Sequence, residues 1–451
     1  MAASLGASSL AEVHLEGLDQ LLHDLANICS PNESPESGPL GVPILDALLE
    51  VFMLKTVRPG ELTQRHLQSP AQREENRLDN EEMIFQSADP ENDVLPFDPE
   101  TGQPSNAFFS DSLYRSKKPC PVVEISSSAS AAGKSQLLYY LTASMILPHS
   151  YENLPIGGKE AAVIWIDADD RFDADRLRVV ARGIIHQARQ TLDPDALNED
   201  AGGSFDEDLE SMLVSSLQHV HVFRPQSSSA VLATLRSLDS YLYDLSRHKS
   251  ASRPLQMLCI DSATAFFWQD KLRDEIARTE DIGRPRIQVD EERGLNQSFY
   301  LSDLYTELVK ELKRLQSRFG CGVVYTTTVM TGRPPPNNNS GPAGPYDRVS
   351  SRTPSLKPAL PTPWGNFPIL RLIVHRDAVR PFPPAVTVDD AERDASMRQD
   401  VVNQGKFSVW VNAWDREEWP RRVADGVDWH NGGSFAFYVQ DVGITIPQPD
   451  R

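Results

Sequence analysis

A strand-like run, Val122-Val123-Glu124-Ile125, leads through a loop of serines and alanines to Gly133-Lys134-Ser135, which opens a helix. Polyphosphate binding asks for that order of strand, small-residue loop, Gly-Lys-Ser and helix. Backbone N–H groups of the turn and of the helix start point at the phosphates, Lys134 reaches the β and γ oxygens, and the Ser135 hydroxyl holds Mg²⁺. The expected ligands are therefore ATP and Mg²⁺. The usual pattern has glycine where this chain has Ser128, and Ala131 and Ala132 stand where small residues or glycine are common. A serine at that site costs about 1–3 kcal/mol if the backbone there must have a positive φ. Gly-Lys-Ser also ends ordinary loops, so the flanking strand and helix carry the reading.

A second element is Gln256-Met257-Leu258-Cys259-Ile260-Asp261, an apolar strand closed by an acid and followed by Ser262. Beside a phosphate loop, an aspartate at a strand end holds the Mg²⁺ shell through water. Alone, Asp261 reads equally well as a cap on the helix that follows. Its place downstream of the loop favours the metal reading. A third run sends the apolar strand Val163-Ile164-Trp165-Ile166 into a cluster of acids, Asp167, Asp169, Asp170 and Asp173.

These groups need a sheet to position them. Apolar runs predict strands over 122–125, 162–166, 220–223, 256–260, 322–326 and 370–374, with helices over 135–147, 173–190, 231–245 and 301–319. In the last helix Leu301, Leu304, Leu308, Leu312, Leu315 and Phe319 form one stripe. Near-continuous apolar strands alternating with helices imply a mostly parallel sheet covered on both faces. Runs 407–411 and 435–439 add an antiparallel edge pair. Upstream, Leu10, Val13, Leu18, Leu21, Leu22, Leu25 and Ile28 recur at helical spacing, and a short apolar segment covers 41–54. The expected organisation is an N-terminal helix and apolar segment over 1–54, then an acidic, disordered insertion over 55–117. A core follows over 118–446, with loop insertions near 191–211 and 331–363, and 447–451 form a tail. No internal repeat is visible.

Composition narrows the class. The net charge is −20, from 64 acidic and 44 basic residues, which argues against a broadly basic face that holds nucleic acid alone. Four cysteines, Cys29, Cys120, Cys259 and Cys321, lack metal-ligand spacing and read as reduced thiols of a cytosolic or nuclear protein. No apolar run reaches membrane-spanning length, and Glu12 and Glu16 are unlike a basic leader, so neither a span nor a signal peptide is expected.

The run Ile166-Asp167-Ala168-Asp169-Asp170-Arg171-Phe172 to Arg176-Leu177 resembles I-D-T-E-G-x-F-x-x-x-R-L of the eukaryotic RecA-like recombinases. The loop with its Tyr140-Leu141-Thr142-Ala143 and Ile146-Leu147-Pro148, and Asp261-Ser262-Ala263-Thr264-Ala265-Phe266-Phe267-Trp268, resemble the recombinase paralogues more closely. The resemblance covers most of 120–446 outside the insertions. It implies a RecA-like phosphate-loop NTPase core, a nuclear role in homologous-recombination repair of double-strand breaks, and action as an assembly or mediator subunit for the recombinase filament. Other paralogues, the D-type above all, are the implied partners, with single-stranded or branched DNA met through the complex.

In that family the glutamate of the motif activates the attacking water, and Asp169 stands in its place. Losing one methylene retracts the carboxylate by about an ångström, and misplacement of that size costs on the order of 100-fold in rate. Asp169 also reads as a solvated loop acid. The family's γ-phosphate-sensing Gln falls near Thr328, which has a shorter reach. A weak DNA-dependent ATPase at most is expected; the alternatives are an active motor and a nucleotide-free scaffold. The family's DNA-contacting loop falls on 331–363, where Arg333, Arg348, Arg352 and Lys357 are the cations and Tyr346 the one aromatic. A bland linker fits that composition better than a stacking platform. Phe85-Gln86-Ser87-Ala88 matches the family's F-x-x-A tether, a pattern that also arises by chance.

Overall fold

The computed structural model describes residues 38–53, 120–152, 154–192, 204–285, 300–329, 355–377 and 386–447. The chain divides into two units, 1–52 with 120–451, and 53–119, and every described residue except Met53 lies in the first. The stripe from Leu10 to Ile28, the insertion over 55–117 and Phe85-Gln86-Ser87-Ala88 lie outside the described residues, as do 331–354.

The strands are β1 (Val122–Ser127), β2 (Ser150–Tyr151), β3 (Leu154–Pro155), β4 (Ala162–Asp167), β5 (Val220–Phe223), β6 (Leu255–Asp261), β7 (Gly322–Thr328), β8 (Leu370–Arg376), β9 (Lys406–Val411), β10 (Ser434–Gln440) and β11 (Gly443–Thr445). The helices are α1 (Pro43–Met53), α2 (Lys134–Ile146), α3 (Ala174–Leu192), α4 (Ser204–Leu217), α5 (Ser228–Tyr243), α6 (Phe267–Glu280), α7 (Leu301–Phe319), α8 (Val388–Asn403) and α9 (Arg421–Trp429). Apart from the small β2–β3 hairpin, the strands make one sheet in the order β11-β10-β9-β8-β1-β7-β6-β4-β5. From β8 through β5 neighbours run parallel, while β9 and β10 continue antiparallel, the edge pair that the apolar runs predict, and β11 adds a third antiparallel strand that they do not.

Alternation along the strands covers both faces. Ile164, Ile166, Leu258 and Ile260 pack with Leu235 and Leu238 of α5 and Leu308, Leu312 and Leu315 of α7 in one buried cluster. The intervening residues turn to α2, where Tyr139 stacks on Trp165 at 5.0 Å and the Thr142 hydroxyl lies 3.9 Å from Cys259 Sγ. Each fully buried leucine of such a cluster contributes about 1.5–3 kcal/mol. The α7 stripe ends where Gly320 takes the left-handed conformation (φ 70°) that closes a helix without a Cβ clash.

Three segments add to the sequence reading. Where a loop insertion near 191–211 is expected, α4 begins at Ser204, anchored by buried Leu209 and Leu213 and by ion pairs from Arg178 and Arg182 of α3 to Glu210. Its acidic composition hides the helix, because the partners of its charges lie on another element. The expected loop over 331–363 is pinned from its C-terminal end: Asn412 brackets the backbone of Leu356 with bonds of 3.0 and 2.7 Å, and Leu360 is buried. The apolar segment over 41–54 is a helix of the same unit as the core, with Phe52 edge-on to Trp419 at 5.3 Å.

Candidate nucleotide site

Parallel sheets place ligands at the carboxyl ends of their strands, and every sequence-chosen group lies at such an end. β1 ends at Ser127 and runs into the loop; β4 ends at Asp167, β6 at Asp261, β7 at Thr328 and β8 at Arg376. Between them opens a cleft of about 930 Å³, lined by Ala132, Gly133, Lys134, Ser135, Asp169, Asp261 and Thr328 among others. Ser128 is exposed and is not on the cleft wall. Its backbone is not left-handed either. That demand falls on Ala131 (φ 56°) and Gly133 (φ 97°), because the chain turns into the helix there.

The loop fits a phosphate chain. Helix α2 starts at Gly133 with no side-chain cap, so its first-turn N–H groups are available to an anion. A Cβ on Gly133 would come within 2.5 Å of Phe407 Cδ1, so only glycine fits beneath that ring. Lys134 donates from Nζ to Ser127 Oγ at 2.7 Å. Burial holds its ammonium below the usual lysine value, against the pull of Asp261 and Asp169. Ser135 and Asp261 are the residues that would hold Mg²⁺. Asp261 is nearly buried, and Thr326 Oγ1 donates to its Oδ1, which fixes the carboxylate at the cleft floor.

The two acids after β4 divide their work. Asp167 is buried and accepts from the backbone N–H groups of Arg171 and Phe172, each at 2.9 Å, and from Arg224 at 3.2 Å. It builds the loop. Asp169 stands free of that network on the cleft wall, where lost solvation and the charge of Asp261 raise its carboxyl above the ordinary value, while Arg171 and Lys134 oppose the rise. A carboxylate so raised is a better proton acceptor. Thr328 sits half-buried at the end of β7, its N–H donating to Thr264 Oγ1 at 3.1 Å.

Sequence reasoning missed Arg171, beside Asp169, and the opposite wall, where Arg376, Phe407 and Gln440 line the cleft. Arg376 lies two residues beyond the predicted strand 370–374, at the carboxyl end of the observed β8. Phe407 gave no signal, since its approach to Gly133 exists only in the folded sheet.

No family model matches the chain. It is 24% identical over 277 residues to the "DNA repair protein XRCC2 homolog" of Arabidopsis thaliana, spanning 57% of this chain and 69% of that protein. It is 27% identical over 191 residues to "DNA repair and recombination protein RadA" of Halobacterium salinarum, spanning 41% of this chain and 50% of that protein. To mouse "DNA repair protein XRCC2" it is 31% identical over 141 residues, 31% of this chain and 39% of the relative. The chain thus spans half or less of the last two relatives. The order of strands, the loop and these likenesses give the chain a RecA-like core that resembles the XRCC2-type recombinase paralogues.

Proposed function

We propose that this chain is an ATP-binding subunit of a recombinase paralogue complex in homologous-recombination repair, where it assists assembly of the recombinase filament on DNA and hydrolyses ATP slowly. The observation that carries this is the convergence of an uncapped helix start, Lys134, Ser135 and Asp261 in one cleft. Lys134 and the loop N–H groups would hold the phosphates, and Ser135 with Asp261 the Mg²⁺, which supplies charge neutralisation when bound. Asp169 is the group that takes a proton from water. It reaches less far than the glutamate of active recombinases, and Thr328 reaches less far than their glutamine. Both losses leave binding intact and weaken turnover.

The relatives' names support a repair role, which we assign to the nucleus, and a D-type paralogue is the partner we favour. Turnover by the purified chain, alone and with that partner and single-stranded DNA, tests the reading. Expected is a rate about 100-fold below that of an active recombinase, rising in Asp169→Glu. Recombinase-like rates that vanish in Lys134→Ala would favour an active motor instead.

A further inference from the structure

The cleft has two flanks, set by strand order. Asp169, Asp261 and Thr328 come from the ends of β4, β6 and β7, all on one side of β1. Arg376 comes from β8, on the other side of β1, and the walls contributed by Phe407 of β9 and by Val439 and Gln440 of β10 lie beyond it. A nucleotide whose terminal phosphate meets the hydrolytic flank must run its inner phosphates and nucleoside toward β8. The parallel register pairs Ser126 with Ile373, so Arg376 stands level with the phosphate loop itself.

Arg376 is suited to an anion there. It makes no ion pair among the described residues, although the chain is rich in carboxylates. Its neighbour Asp377 is taken by Lys406 at 3.3 Å and by Ser408 at 2.8 Å. Its guanidinium lies 5.9 Å from the centroid of Phe407, whose ring stacks on Phe437 at 5.1 Å and covers Gly133. The ring that fixes the loop glycine therefore also seats the arginine, tying the loop to the far wall.

Resting on the nucleotide-site reading, we infer that Arg376, seated on Phe407, is the cation that binds the inner phosphates of the nucleotide from within the same chain. An arginine contact of this kind contributes about tenfold or more to affinity.

Calorimetric titration of the full chain with ATP and with ADP, both with Mg²⁺, tests it. Arg376→Gln is expected to weaken both nucleotides about tenfold and equally, with the melting temperature of the nucleotide-free protein unchanged, because Arg376 is exposed. Arg376→Lys keeps the charge but loses the planar fork and should fall between. Phe407→Leu should weaken both nucleotides as well. Unchanged binding of both nucleotides in Arg376→Gln, beside lost binding in Lys134→Ala, overturns this inference and leaves the site standing. Loss confined to ATP also overturns it, by moving Arg376 to the terminal phosphate. Failure of the wild type to bind either nucleotide sinks the site reading, and this inference with it.

Discussion

At the scale of single residues, the loop places its conformational demands on Ala131 and Gly133, not on Ser128. Gly133→Ala combines a positive φ with a clash against Phe407, and is expected to destabilise the protein by about 1–3 kcal/mol from the backbone alone. It should also abolish nucleotide binding. Thermal melting with and without ATP checks both, and a variant as stable as wild type contradicts the packing described. Ala131→Gly should do the reverse, stabilising by about 1 kcal/mol as a left-handed Cβ is removed; a lower denaturation midpoint would contradict it. Lys134, Ser135 and Asp261 were legible in the sequence because a local motif or a strand end announces them. Ser128 misled because the motif pattern specifies a residue type without its φ. Arg376 and Phe407 became meaningful only through strand pairing between distant segments.

At the scale of elements, the strands and long helices were legible because their apolar periods are unbroken, as in α7. Helices α4, α6 and α8 were not, since each carries much of its length in charged residues and α8 buries nothing. The edge strand β5 holds a network that neither period nor motif reveals. His219 and His221 share the Ser250 hydroxyl at 2.9 Å each, and His221 also meets Tyr241 at 2.9 Å. Burial, with the nearby Arg253 for His219 and His248 for both, lowers each imidazole to about 4. The unfolded chain then binds more protons than the folded one between about pH 4 and the ordinary histidine value of about 6.5. Stability is complete above that window and falls as the pH drops through it. Asp46, whose carboxyl burial raises to about 6, acts in the opposite sense, as do the carboxyls of Glu124, Asp169 and Asp270, which burial also raises. The imidazole contribution is thus read by comparing a histidine variant with the wild type. Urea midpoints at pH 7 and pH 5 should therefore fall less steeply in His221→Phe than in wild type. Parallel slopes in the two proteins would contradict the network.

At the scale of the whole molecule, a net charge of −20 opposes both self-assembly and contact with DNA phosphates, and a basic partner would relieve it. We expect light scattering of the chain alone, with ATP and single-stranded DNA, to show monomers or small species. Long regular filaments without a partner would contradict a heteromeric role. The claim on which the rest depends is that the cleft holds a nucleotide, and thermal melting measures it directly. A ligand at a hundred times its dissociation constant adds about 2.7 kcal/mol of stability, which in a chain of this size means a rise of several degrees. Millimolar ATP with Mg²⁺ should give that rise in the wild type and none in Lys134→Ala. An equal rise in both proteins, or none in the wild type with or without its partner, would contradict a nucleotide site at this cleft.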